Sequence, residues 1–286
     1  MKNKPVTVPE IQGRKAAAKK ITALTACDFG FARLLDPTAI DIVLVGDSLG
    51  MVSLGYENTL PVTMDEMLAH ARAVRRGITR ALLVGDMPFM SYQVSLEEAV
   101  RNAGRFIQEA GASAVKLEGG QRAAETVNAI VRAGIPVMGH IGLTPQSVHQ
   151  FGGYRVQGKN YLDARQICQD ARHLEKAGAF SLVLEGIPAD LAAEITAAVK
   201  IPTIGIGAGP ACDGQILVLH DLLGLTDGFT PKFVKRYAEL GALAKEAVGR
   251  YIDDVRSGAF PAREHCYQVE RENWPIQRGE NKGCGG

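Results

Sequence analysis

No stretch of this sequence approaches the ~18–20 consecutive apolar residues needed to cross a bilayer. Its N-terminus is polar and lacks the apolar core of a secretion signal. The five cysteines, Cys27, Cys168, Cys212, Cys266 and Cys284, are odd in number, irregular in spacing and nowhere arranged as C-x-x-C. Neither a disulfide framework nor a zinc site is indicated, and a reduced, cytosolic compartment is the simplest expectation. A dominant charge is missing as well. The formal net charge is +1 and the basic residues are scattered, so no bulk field would recruit nucleic acid or membrane. The short cluster Arg14, Lys15, Lys19 and Lys20 reads as a solvated terminal segment. No linker divides the chain. The expected organisation is one body over residues 21–265, a peripheral N-terminal segment 1–20 and a tail 266–286, whose Gly-rich end 278–286 is expected to be mobile.

What is present is an ordinary globular balance, 46% hydrophobic and 22% charged over 286 residues, enough for a sizeable core. Eight short apolar runs recur, at residues 21–27, 40–47, 81–88, 113–119, 135–141, 181–188, 201–207 and 215–220. They are rich in Val, Ile and Leu without clean polar alternation, which suits parallel strands buried on both faces. The segments between them read as helices. Residues 64–76 follow Thr63 with Glu66 three positions on, a capping-box pattern. Residues 96–110 follow Ser95 and stop at Gly111; 121–133 stop at Gly134; 163–177 stop at Gly178. Residues 189–199 form another helix, and 231–255 a long final helical region. Strand–helix alternation repeated about eight times predicts an α/β protein with a (β/α)8 TIM barrel. A doubly wound open sheet is the alternative.

Barrel active sites lie at the C-terminal ends of the strands, and polar residues collect there. The second run ends in Asp47–Ser48 and the third holds Asp86. The fourth carries Lys116 and Glu118, two apart and so on one face. The fifth carries His140 and the sixth Glu185. Asp47, Asp86 and Glu118 are oxygen donors of the kind that suits a hard cation such as Mg2+; taken singly, each could instead cap the following helix. Lys116 could hold a substrate carboxylate, act as a Schiff-base nucleophile, or pair with Glu118; the shared face favours an electrostatic role. His140 could donate a hydrogen bond to substrate or be a satisfied core residue. Glu185 follows three apolar residues, where desolvation would raise its pKa and make it a proton acceptor; a solvated loop residue is the other reading.

The stretch G-I-G-A-G at residues 205–209 is not G-x-G-x-x-G and supports no nucleotide site. Its glycines suit close backbone approach. Residues 143–162 form a segment long enough to serve as a lid, a substrate platform or a subunit contact.

Together these residues resemble the ketopantoate hydroxymethyltransferase family over about 21–265. The resemblance rests on V-G-D-S-L-G-M at 45–51, T-L-P-V-T at 59–63, R-R-G at 75–77 and D-x-P-F-M at 86–90. It continues in V-K-L-E-G-G at 115–120, G-H-I-G-L-T-P-Q-S-V at 139–148 and F-G-G-Y-x-V-Q-G at 151–158. L-V-L-E at 182–185, I-G-I-G-A-G at 204–209 and D-G-Q at 213–215 complete it. It implies Mg2+ on Asp47, Asp86 and Glu118. It also implies contacts to a 2-oxo acid from Asp47, Ser48, Asp86 and Lys116, with His140 beside them and Glu185 as proton acceptor. The implied donor is 5,10-methylenetetrahydrofolate, the implied reaction runs through a Mg2+-stabilised enolate to 2-dehydropantoate for pantothenate, and the implied assembly is a homodecamer. One departure stands out. Where the family often has T-A-Y-D, this chain has Thr25–Ala26–Cys27–Asp28, and a thiol neither reaches as far nor donates as well as a phenol. Two rival readings remain open: a Mg2+-dependent lyase or mutase of the isocitrate lyase kind, and a barrel without catalytic function.

Overall fold

The computed structural model of the chain describes residues 4–226, 228 and 230–268. Eight parallel strands alternate with helices and close into a barrel in sequence order. They are β1 Ile21–Thr25, β2 Ile42–Val45, β3 Leu82–Asp86, β4 Ala114–Glu118, β5 Val137–Gly142, β6 Ser181–Glu185, β7 Thr203–Ile206 and β8 Gly214–Leu217. β8 is bonded to β1, with Ile21 opposite Gly214 and Leu24 opposite Leu217. An open doubly wound sheet would leave both outer strands unpaired, so this pairing decides for the barrel.

Alternation along each strand divides the core in two. Ile42, Leu44, Val84, Ala114, Met138 and Val183 belong to one buried cluster, which fills the barrel. Val43, Val45, Leu83, Val115, Leu117 and Leu182 belong to another, shared with helix residues such as Met67, Phe106, Ile130 and Leu174. Strands covered on both faces by apolar side chains explain why the sequence shows continuous Val/Ile/Leu runs. In β4 the same alternation sends Val115 and Leu117 out to the helices, and Ala114, Lys116 and Glu118 into the barrel.

Helix Met64–Gly77 opens with a capping box: the Thr63 N–H donates to Glu66 Oε2 at 2.7 Å, and the Glu66 N–H to Thr63 Oγ1 at 3.2 Å. Ser95 caps Leu96–Gln108, and Gly178 closes Tyr161–Ala177 in the left-handed conformation. The helix expected over 121–133 begins instead as a 3-10 turn, Gln121–Ala123, before the α-helix Ala124–Arg132.

Helix Val8–Ala16, within the N-terminal segment, puts Ile11 at 0% exposure, in one cluster with the barrel filling. Arg14 bonds Asp41 at 2.8 Å and Lys15 bonds Asp213 at 2.9 Å, both at strand N-termini, so this helix closes the end of the barrel opposite the active-site ends. The final helix is Leu240–Ser257, not 231–255. Phe233 packs against Gly207, and the Tyr237 N–H donates to the Leu222 carbonyl at 2.8 Å, which holds that stretch as a loop. The chain divides into two compact units, Met1–Ala238 and Glu239–Gly286. The tail 278–286, with Cys284, lies outside the described residues.

Candidate active site

The strand ends supply the site. Asp86 ends β3, Lys116 and Glu118 lie on β4, His140 on β5, and Glu185 ends β6. Register brings them level, with Asp86 beside Lys116, Glu118 beside His140, and Gly142 beside Glu185. Asp47 follows β2 and is tied in by its backbone N–H, which donates to Asp86 Oδ2 at 3.1 Å. Gly142 is required where it stands: its φ is +94°, and a β-carbon there would lie 2.3 Å from the Glu185 carbonyl oxygen.

The side chains form one charged chain. Lys116 Nζ lies 2.8 Å from Asp86 Oδ1, 3.8 Å from Glu118 Oε1 and 3.3 Å from His140 Nδ1. His140 Nδ1 is 3.3 Å from Glu118 Oε1, and its Nε2 is 3.1 Å from Glu185 Oε2. Asp86 Oδ1, Glu118 Oε1 and His140 Nε2 have these ionic neighbours but no aligned hydrogen bond. The Glu185 side chain is 15% exposed against 3% for Glu118, so Glu185 is the acid that reaches both solvent and the buried cluster.

Burial, then the charges of Asp86 and Glu118, push Asp47 well above the usual carboxylate range. Burial also raises Asp86, with Lys116 opposing and Glu118 adding to the rise. Burial alone would raise Glu118, but the bond and charge of His140, then Lys116 and the Gln146 N–H, hold it below the usual range. Burial and Lys116 disfavour a charged His140, yet Glu118 and Glu185 outweigh them and lift it to about 9. For Lys116, burial is outweighed by the three surrounding acids, which raise its pKa.

With Asp47, Asp86, Glu118 and Glu185 ionised, four negative charges would face the two positive charges of Lys116 and His140. Burial first, and the repulsion between neighbouring acids second, lie behind the upward shifts of Asp47 and Asp86. A divalent cation with hard oxygen ligands would neutralise the surplus negative charge, and the orphaned Asp86 and Glu118 oxygens are donors of the right type. Among the described residues, however, no three acids, histidines or cysteines already stand in a metal-holding arrangement. Lys116 lies against Asp86, so a cation would have to draw the acids together.

Ser48, expected to contact the oxo acid, is half-buried next to Asp47 and makes none of the hydrogen bonds of the cluster. Cys27 is buried with its sulfur 3.0 Å from Ser53 Oγ, and burial raises its thiol pKa. Two residues escaped the sequence reading of the site: Gln146 and Tyr92, both buried and both hydrogen-bonded to the acids or their backbone. A Pro–Gln pair just beyond β5 was the available signal for Gln146, and periodicity has no purchase on Tyr92 in its loop. The segment 143–162 delivers Gln146 from a 3-10 turn, Pro145–Ser147, and continues to Tyr154. Burial, then the charges of Asp47, Glu185 and Glu118, raise the pKa of the Tyr154 phenol.

Residues 5–263 match the family described as ketopantoate hydroxymethyltransferase. A 3-methyl-2-oxobutanoate hydroxymethyltransferase of Pelobacter propionicus is 60% identical over 264 residues, 92% of this chain and 98% of that protein. One of the same name from Moorella thermoacetica is 58% identical over 263 residues, again 92% and 98%. Among solved structures, a phosphonopyruvate hydrolase complex with oxalate and Mg2+ aligns at a TM-score of 0.60 and 13% identity, covering 91% of this chain and 93% of that one. A 2,3-dimethylmalate lyase of the PEP mutase/isocitrate lyase superfamily aligns at 0.58 and 15%, covering 94% and 89%. These structural likenesses speak to the fold alone. The family match over nearly the whole chain, together with relatives of this identity, assigns the sequence: it belongs to the ketopantoate hydroxymethyltransferase family.

Proposed function

We propose that this protein transfers a hydroxymethyl group from 5,10-methylenetetrahydrofolate to 3-methyl-2-oxobutanoate, giving 2-dehydropantoate in pantothenate biosynthesis. Family membership supports the reaction class. The observation that carries the chemistry is the chain of contacts from Asp86 through Lys116, Glu118 and His140 to the more open Glu185.

Asp47, Asp86 and Glu118 would hold Mg2+, which, when bound, supplies a Lewis acid able to polarise the ketone of the oxo acid. The protein's own groups do the rest. Lys116 offers a fixed positive charge to the substrate carboxylate, and Ser48 a hydroxyl beside Asp47. Glu185 accepts the C3 proton. Water adds to the folate methylene as its two C–N bonds break, which frees tetrahydrofolate and leaves the carbon at the formaldehyde level. The enolate carbon adds to that carbon, whose oxygen takes up a proton to become the hydroxymethyl group. His140 lies 3.1 Å from Glu185 and orients it. Lyases and mutases on the same fold would also enolise an oxo acid, so folate dependence separates the readings. The test is NMR of 3-methyl-2-oxobutanoate with Mg2+. Exchange at C3 is expected without folate, and 2-dehydropantoate only when methylenetetrahydrofolate is added. No product with folate and metal would overturn the assignment.

A cytosolic setting and a homo-oligomer, with a decamer as the specific form, belong to the same proposal. Among the described residues no helix is long and apolar enough to span a membrane. The 18-residue helix Leu240–Ser257 buries none of its residues and exposes Val248, Tyr251, Ile252 and Val255 at helical spacing. A continuous apolar stripe of this kind calls for a cover, and a second copy of the chain supplies one. Sedimentation at micromolar concentration should reveal a species far heavier than the 30.6 kDa chain; a persistent monomer would reject the oligomer.

A further inference from the structure

We propose that Gln146 is a positioning residue of this site: its backbone N–H and side-chain amide orient the carboxylates of Glu118 and Asp47, and the Tyr92 hydroxyl locks that amide in place. The inference rests on the reading of those carboxylates as ligands.

Gln146 is only 6% exposed. Its backbone N–H donates to Glu118 Oε2 at 3.0 Å. Its side-chain nitrogen donates to Asp47 Oδ2 at 2.9 Å and to the Met87 carbonyl at 3.0 Å, and its Oε1 accepts from the Tyr92 hydroxyl at 2.7 Å. Chemistry fixes the direction of the amide. The Met87 carbonyl can only accept, so the nitrogen must face it, and the same nitrogen then faces Asp47. Tyr92 fixes the other end. Its hydroxyl accepts the Glu118 N–H at 3.1 Å, and of the two acceptors for its single proton Gln146 Oε1 at 2.7 Å is nearer than the Glu118 carbonyl at 3.2 Å.

These bonds close a ring from Glu118 through Tyr92 and Gln146 back to Glu118. The consequence is a choice of oxygen. With Glu118 Oε2 tied to the Gln146 N–H, Oε1 is the oxygen left beside Lys116 and His140 without an aligned hydrogen bond. A glutamine with a purely structural role would use its amide on backbone; this one gives one N–H to a site carboxylate and has its acceptor held by a buried phenol.

The test uses Gln146→Met, which keeps chain length and the backbone N–H, and Tyr92→Phe, which keeps the ring. Mg2+ affinity is measured by calorimetry with 3-methyl-2-oxobutanoate present. The melting temperature is measured without metal, and kcat and KM in turnover. Gln146→Met should weaken Mg2+ binding by about 10- to 100-fold, the usual cost of losing a partner behind a metal ligand. Tyr92→Phe should act in the same direction by about two- to tenfold, the worth of one neutral hydrogen bond. A lowered melting temperature with wild-type Mg2+ affinity in both variants would make the role structural and overturn the proposal. Should Gln146→Met not fold, Tyr92→Phe decides by the same readouts. Wild-type protein that turns over yet binds no Mg2+ would instead sink the metal reading. Gln146 is then judged on turnover: a clear fall in kcat at unchanged KM supports the role, and wild-type kcat rejects it.

Discussion

Glu185→Gln is expected to slow exchange of the C3 hydrogen of 3-methyl-2-oxobutanoate with solvent deuterium by roughly 100- to 10,000-fold, the range typical of losing a general base. The substitution keeps the shape of the side chain and removes its ability to take a proton. Glu185 suits the task by position. It is the most open acid of the cluster, at 15% side-chain exposure, and so can pass a proton to water. Its partner His140 lies 3.1 Å away. Oxo acid affinity should change little, because Lys116 is buried against Asp86 on neighbouring strands and keeps its place. Proton NMR in deuterium oxide, with Mg2+ and without folate, reads the rate directly. Near-normal exchange by the variant would move the base elsewhere. His140 is then the next candidate, although a pKa of about 9 means that it already carries its proton at neutral pH.

Asp86→Asn should remove Mg2+-dependent turnover, by about a thousandfold or more if the metal supplies several kcal/mol of transition-state stabilisation. The fold should survive. Asparagine can still accept the Asp47 N–H through its carbonyl oxygen, a bond now made at 3.1 Å by Asp86 Oδ2. Lys116 loses its 2.8 Å partner but keeps Glu118 at 3.8 Å. Removing one of the mutually repelling acids also lets Asp47 ionise more readily, since the charge on Asp86 is second only to burial in raising it. Turnover against Mg2+ concentration, with circular dichroism melting as the check on folding, separates loss of a ligand from loss of structure. Wild-type activity with unchanged metal dependence would refute the assignment of Asp86 as a ligand.

Much of the site was legible because it is built on strands. Residues two apart on a strand share a face, so Lys116 and Glu118 could be paired from the sequence alone, and both do face into the barrel. Asp86, His140 and Glu185 were legible as polar residues closing apolar runs. Gln146 and Tyr92 were not, since both sit in loops where no period applies, and their roles come from partners 99 and 26 residues away, Asp47 and Glu118. The N-terminal segment was less legible for a related reason. Two buried side chains, Val6 and Ile11, among basic neighbours read as a solvated segment until the open end of the barrel is there to receive them. The helix expected over 231–255 carries suitable residues throughout, but Phe233 and Tyr237 find partners in the barrel unit, at Gly207 and Leu222, and tertiary contacts override local propensity.

By itself the sequence determined the strand–helix alternation, the faces of the strands, the capping of helix Met64–Gly77 at Thr63 and Glu66, and the acids available to the chemistry. Each of these follows from periods and spacings within about ten residues, where backbone geometry dictates which side chains meet. Only the tertiary structure decided which oxygen of Glu118 is held by Gln146 and which is left beside Lys116 and His140. It also decided that Glu185 is the acid open to solvent, and that burial beside one another drives Asp47 and Asp86 upward while Glu118 stays low. Those properties arise from distance and desolvation between residues far apart in the chain, and they come into being when β8 bonds to β1 and the barrel closes.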